Sequence, residues 1–185
     1  FPGGPGGPSY FPFAIDAAAR PEPPGGLPKG GVPRLELPTR HLEYAPTDVR
    51  LKAKELRLEV FQPQNPNAPD AFEELKKIAA DLLVVIAYGH ILKNNILSLA
   101  KLYPLNVHAS LLPKYRGAAP INWAIANGEK ETGVTIMKMN EKMDEGDIAL
   151  KEIVPIGEED DAIMLSEKVS RKGANLLLDV IGLIK

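Results

Sequence analysis

The spacing of apolar and polar residues changes repeatedly along the chain, and each change marks an element. In "PTDVRLKAKEL" Val49, Ala53 and Leu56 recur at helical spacing behind Thr47, a candidate N-cap. "LEVFQP" reads as a short strand stopped by Pro63. "NPNAPDAFEELKKIAA" is a loop entering a helix, with Asp70 and Glu73 at capping-box spacing and Phe72, Leu75 and Ala79 as its apolar stripe. "DLLVVIAYG" is an unbroken apolar run closed by Gly89, the pattern of a strand buried on both faces in a parallel sheet. A helical "HILKNNILSLAK", a strand "PLNVHAS" and a helix "AAPINWAIANG" stopped at Gly128 follow. "TGVTIMKM" and "IALKEIVPI" read as neighbouring strands. The last helix begins among acidic residues and carries Leu165, Val169, Leu177, Val180 and Ile184 on one face.

This alternation predicts an α/β fold, doubly wound around a mostly parallel sheet. Ligands in such folds bind beyond the carboxyl ends of strands, where Gly89 and His108 fall. The first forty residues break the pattern. They hold 10 of the 18 prolines and 8 of the 16 glycines, which disfavour a central strand and read as loop. Net charge is −2, so no global basic field marks a nucleic-acid binder, although a local patch is compatible with it. The absence of cysteine excludes disulfides and thiolate metal sites, and His41, His90 and His108 have no metal-ligand spacing. No apolar run has the length of a membrane span.

Two separated motifs, "NVHASLLPKYRGAAP" and "ETGVTIMKMNEKMDEGDIAL", occur with "VVIAYGHIL" in one order and spacing from about Thr47 to Lys185. In these the chain resembles the folate-dependent formyltransferase superfamily, and within it the methionyl-tRNA branch. The resemblance implies a Rossmann-like fold and formyl transfer from 10-formyltetrahydrofolate to the amino group of initiator methionyl-tRNA, without a metal. It implies Asn106, His108 and Asp144 as catalytic residues. It places the pterin and folate contacts on Ser110, Leu111, Leu112 and Pro113 and on Tyr88, Gly89, Ile91 and Leu92. A monomeric cytoplasmic protein of translation initiation is expected, or a mitochondrial or plastid one in a eukaryote.

The residue types suit that chemistry on their own terms. A neutral amide such as Asn106 can donate to developing negative charge on a carbonyl oxygen. An imidazole, with an ordinary pKa of about 6.5, exchanges protons near neutrality. A carboxylate beside it orients the ring. Glu141, Glu145 and Asp147 surround Asp144, and it is the resemblance that singles out Asp144, since the family's aspartate precedes x-Gly-Asp, as Asp144 does here. Lys114 to Gly117 form a basic turn that either touches substrate or braces the loop through Arg116. Trp123 is expected in the core, and His41 and His90 at the surface. The basic residues from Arg40 to Arg57 either meet tRNA phosphates or, as favoured, line a solvated helix.

The chain also departs from the pattern. Residues 1–40 stand where the family's first strand–helix unit belongs, leaving residues 41–185 as the catalytic domain and the first strand in doubt. Lys142 stands where glycine is usual and Glu145 where threonine is frequent, so a positive φ is expected to strain Lys142. The family's C-terminal tRNA-binding domain is expected to be absent. Sugar-nucleotide and glycinamide ribonucleotide N-formyltransferases remain alternatives, as does a folate-binding domain with little activity.

Overall fold

The computed structural model describes residues 13–15 and 48–184. They belong to two compact units, one between Pro12 and Gln64 and the other from Asn65 onward. In the smaller unit, β1 (Phe13–Ile15) pairs in parallel with β2 (Glu59–Phe61). Phe-Ala-Ile, an apolar run between Pro12 and Asp16, thus forms a strand inside the stretch expected to be loop. Helix α1 (Asp48–Glu55) buries Ala53, and beyond its end Arg57, at a φ of 56°, turns the chain into β2. There the Leu58 amide donates to the Ala53 carbonyl at 2.8 Å. Thr47, His41 and Arg40, and most of residues 1–40, lie outside the described residues.

The larger unit is built on a four-stranded sheet, β3 (Leu82–Ile86), β4 (Tyr103–His108), β5 (Glu131–Lys138) and β6 (Ile148–Pro155), in that spatial order. β3 and β4 are parallel, whereas β5 opposes β4 and β6 opposes β5. The α/β class therefore holds, but the sheet is mixed rather than mostly parallel. β5 and β6 form a hairpin, and a strand returning through so short a connection can only run antiparallel.

One face of this sheet carries the main core. Leu105, Val134, Ile136 and Val154 meet Leu165, Val169, Leu176 and Val180 of α5 (Ala162–Leu183). Gly173 lets the helix sit close, since a Cβ there would lie 3.1 Å from a Val107 methyl and 3.2 Å from one of Val134. The Asp161 side chain caps α5 by accepting from the Met164 amide at 2.8 Å. α5 packs on β5 and β6, so the same face at β3 lies beyond it. Val84 is consequently 38% exposed and Ile86 57%, and only Val85 of that run is buried, not the whole strand on both faces.

The helices differ from expectation in detail. α2 (Pro69–Lys77) starts from Ala68 with no side-chain cap, because Pro69 takes the first helical position and no Asp70–Glu73 box forms. It buries Ala71 and Leu75, while Ala79 lies beyond its end at φ 50°. The "HILKNNILSLAK" helix is reduced to one turn, α3 (Asn94–Leu97). α4 (Pro120–Ala126) ends before Gly128, which sits at φ 65°. Trp123 is 56% exposed rather than in the core: Ile121, Ala124 and Ile125 take the inward face, and Trp123 points the other way.

Candidate active site

Strand alternation divides β4. Leu105 and Val107 turn toward α5, so Asn106 and His108 project from the opposite face, paired with Met137 and Thr135 of β5. The connection between β5 and β6 brings Asp144 onto that face. Its carboxylate lies 3.4 Å from Asn106 Nδ2, through Oδ1, and 3.6 Å from His108 Nδ1, through Oδ2. The Gly117 amide donates to the same Oδ2 at 2.8 Å. His108 is only 7% exposed. Its Nε2 lies 2.9 Å from the Tyr115 carbonyl. A carbonyl oxygen only accepts, so Nε2 carries the proton, and Nδ1, facing Asp144, is the basic nitrogen of the neutral ring.

Backbone geometry places Asp144 there. It adopts φ 50°, so the left-handed residue of this loop is Asp144 and not Lys142. Gly146 passes so close to the Lys138 carbonyl that a Cβ would overlap it. The Lys138 amide donates to the Asp147 carbonyl at 2.8 Å, and the Met139 amide to the Pro104 carbonyl at 2.8 Å. Of the neighbouring acids, Glu141 and Asp147 are exposed, and Glu145 meets Arg116 at 3.5 Å and Lys142 at 3.8 Å. Arg116 thus reaches this loop only through an exposed pair with Glu145.

The segment Ser110–Pro113 leaves β4 immediately beyond this cluster. The buried Thr135 hydroxyl donates to the Ser110 carbonyl at 2.7 Å and accepts from the Leu112 amide at 3.1 Å. Lys151 Nζ donates to the Leu112 carbonyl at 3.2 Å, and the Ser110 hydroxyl to the Lys114 carbonyl at 2.6 Å. The Leu111 side chain packs on Gly133, where a Cβ would collide with it. The segment after β3 leaves the same end of the neighbouring parallel strand, as Ile86 pairs with Val107. Asn67 clips it from both sides, donating to the Ile91 carbonyl and accepting from the Lys93 amide, each at 2.8 Å.

The expected folate-contacting side chains do not all face one space. Leu92 and Leu112 are buried in the protein, Ile91 is 68% exposed, Tyr88 is half-buried and Pro113 exposed. Gly89 has open space around it, and His90 is exposed, its ring 5.5 Å from that of Tyr88. Leu92 and Leu112 thus turn their side chains into the protein interior. Sequence reasoning missed Asn67, Thr135 and Lys151, whose side chains act on backbone groups and leave no spacing pattern, and it missed the grip of the Gly117 amide on Asp144. Gly117, within "KYRG", was the one visible signal.

Residues 35–181 match the family described as Formyl transferase. The chain belongs to the formyl transferase family. A methionyl-tRNA formyltransferase from Kosmotoga olearia is 47% identical over 142 residues, covering 77% of this chain and 46% of that protein. The chain thus spans a little under half the length of the curated relatives it matches. Among solved structures, a phosphoribosylglycinamide formyltransferase from Bacillus halodurans aligns with a TM-score of 0.62 at 30% identity, covering 69% of this chain and 70% of that one. A formyltransferase from Anoxybacillus kamchatkensis, solved with tetrahydrofolate and a formamido sugar nucleotide, aligns with a TM-score of 0.56 at 24% identity, covering 74% and 70%. This formyl transferase chain therefore shares a fold with enzymes of different acceptors. Among its described residues no helix is long and apolar enough to cross a membrane.

Proposed function

We propose that the chain transfers the formyl group of 10-formyltetrahydrofolate to the amino group of methionyl-tRNA, with residues 41–185 as the catalytic domain. One observation carries the reading: an amide, an imidazole and a carboxylate meet on one sheet face, with Asp144 within 3.4 Å of Asn106 and 3.6 Å of His108. The methionyl acceptor is favoured because relatives of that name are 41–49% identical, against 22–30% for the solved relatives with other acceptors. The folate donor is supported by the tetrahydrofolate bound to a relative of the same fold.

The chemistry follows from the arrangement. The acceptor nitrogen attacks the formyl carbon, and the carbonyl oxygen takes up negative charge. Asn106 Nδ2 has a second hydrogen besides the one directed at Asp144, and it donates that hydrogen to the oxyanion. The attacking nitrogen loses a proton to His108 Nδ1, whose partner Nε2 stays fixed on the Tyr115 carbonyl. The resulting imidazolium lies against Asp144, which offsets its charge. The proton then passes to the departing tetrahydrofolate nitrogen as the carbon–nitrogen bond breaks. The Ser110–Pro113 main chain, held by Thr135 and Lys151, flanks the donor.

The test is transfer of a labelled formyl group to methionyl-tRNA, glycinamide ribonucleotide and an amino sugar nucleotide in parallel. Transfer to methionyl-tRNA is expected. Transfer only to one of the others overturns the acceptor, and folate binding without transfer to any overturns the enzymatic reading.

A further inference from the structure

One carboxylate oxygen, remote in sequence from the catalytic residues, holds two consecutive residues of the loop that grips them. Glu129 Oε1 accepts from the Tyr115 hydroxyl at 2.7 Å and from Lys114 Nζ at 2.9 Å. Asn127 Nδ2 donates to the same Tyr115 hydroxyl at 3.0 Å. The main-chain ends of these two residues face the site. The Tyr115 carbonyl receives His108 Nε2, and the Lys114 carbonyl receives the Ser110 hydroxyl. Tyr115 also sits at φ 55°, a left-handed conformation that a bulky side chain rarely adopts unless its surroundings impose it. Two residues on, the Gly117 amide grips Asp144.

We propose that Glu129 is a positioning residue for formyl transfer: through the Tyr115 hydroxyl it fixes the Tyr115 carbonyl, and that carbonyl sets the orientation and tautomer of His108. The inference rests on the reading of His108 as the proton carrier. The Tyr115 hydroxyl is the main reason the Glu129 carboxyl is held below the ordinary carboxylate range, with Lys114 second. The Lys114–Glu129 pair alone is exposed, and such pairs hold little. The tyrosine arm transmits the constraint.

The experiment compares Glu129→Gln, Tyr115→Phe and the double variant in the full-length protein. Tyr115→Phe keeps the ring, and Glu129→Gln keeps the shape of the acceptor. Each single variant should lower kcat about tenfold, with the KM for the folate donor within about twofold. The double variant should be no slower than the worse single one, because both break one path. The nitrogen NMR signals of the His108 ring should move in both single variants. Values of kcat within about twofold of the parent, multiplicative losses in the double variant, or unchanged His108 signals would overturn the proposal. If the parent transfers no formyl group, the function proposed above has failed, and the His108 signals still decide whether the clasp sets the ring.

Discussion

Thr135→Val tests how the main chain beside the site is held. Valine matches threonine in shape, so the change exchanges a hydroxyl for a methyl without opening a cavity. Thr135 is fully buried, and its hydroxyl serves the Ser110 carbonyl at 2.7 Å and the Leu112 amide at 3.1 Å. Both groups lose their partner where water does not reach. An unsatisfied buried polar group costs roughly 1–3 kcal/mol, and the added methyl returns about 0.8 kcal/mol. Two such groups less that methyl leave a net loss of about 1–5 kcal/mol, which in a chain of this size lowers Tm by roughly 2–20 °C. Thr135→Ser gives the contrast. It keeps both hydrogen bonds and loses one methyl, a cost of about 1 kcal/mol. The polar variant should therefore be the more stable, opposite to an order set by hydrophobicity alone. Calorimetry of both variants, with the folate-donor KM as a second readout, is the assay. A valine variant as stable as the serine one, with unchanged KM, would refute the account.

Three other outcomes are expected. Asn106→Ala should lower kcat by roughly a hundredfold while folate affinity, read by titration, changes little, because the amide acts on charge that develops during reaction. Gly146→Ala should reduce turnover by displacing Asp144, since a Cβ there overlaps the Lys138 carbonyl; an unchanged kcat would show that the loop adapts. Stability should fall in acid. Asp160, held below its ordinary value by Lys168 and then the Gly157 amide, and Glu129, held down by Tyr115 and Lys114, contribute above the ordinary carboxylate values of about 4. That contribution fades as pH drops through the lowered folded values. Lys114 is raised by Glu129, so its share is present below the ordinary lysine value and lost only as pH rises through the higher folded one. Tm against pH for Asp160→Asn and Glu129→Gln should show a flatter acid limb than for the parent.

The parts of the fold that follow from periodicity were legible. The last helix carries Leu165, Val169 and Val180 of the expected stripe into the core, although Leu176 rather than Leu177 is the buried member and Ile184 lies just past the helix end, and β5 and β6 are neighbours as read. The long-range arrangement was less so. "LLVVI" looked doubly buried because an apolar run does not reveal which of its faces lies beyond the reach of α5. The cap of α2 was misjudged because Pro69 outranks a polar pair for the first turn. At the site, Asn106 and His108 were visible as alternate residues of one strand, and Asp144 through its motif. Thr135, Asn67, Tyr115 and Glu129 were not: Thr135 and Asn67 hold main-chain groups, Tyr115 offers its own carbonyl, and Glu129 reaches the site only through the Tyr115 hydroxyl and Lys114, and such contacts across the fold impose no recurring residue type.

The reversal of strand direction after β4 has a consequence for how the protein can vary. Asp144 arrives on a hairpin tip whose two ends are tied to neighbouring rungs, by the Lys138–Asp147 and Met139–Pro104 hydrogen bonds. Positions 140–143 can change in length or charge while those ties keep the sheet in register, because lengthening a surface loop costs little. The fixed carboxylate therefore sits beside a stretch, 140–143, that can be remodelled without disturbing the sheet.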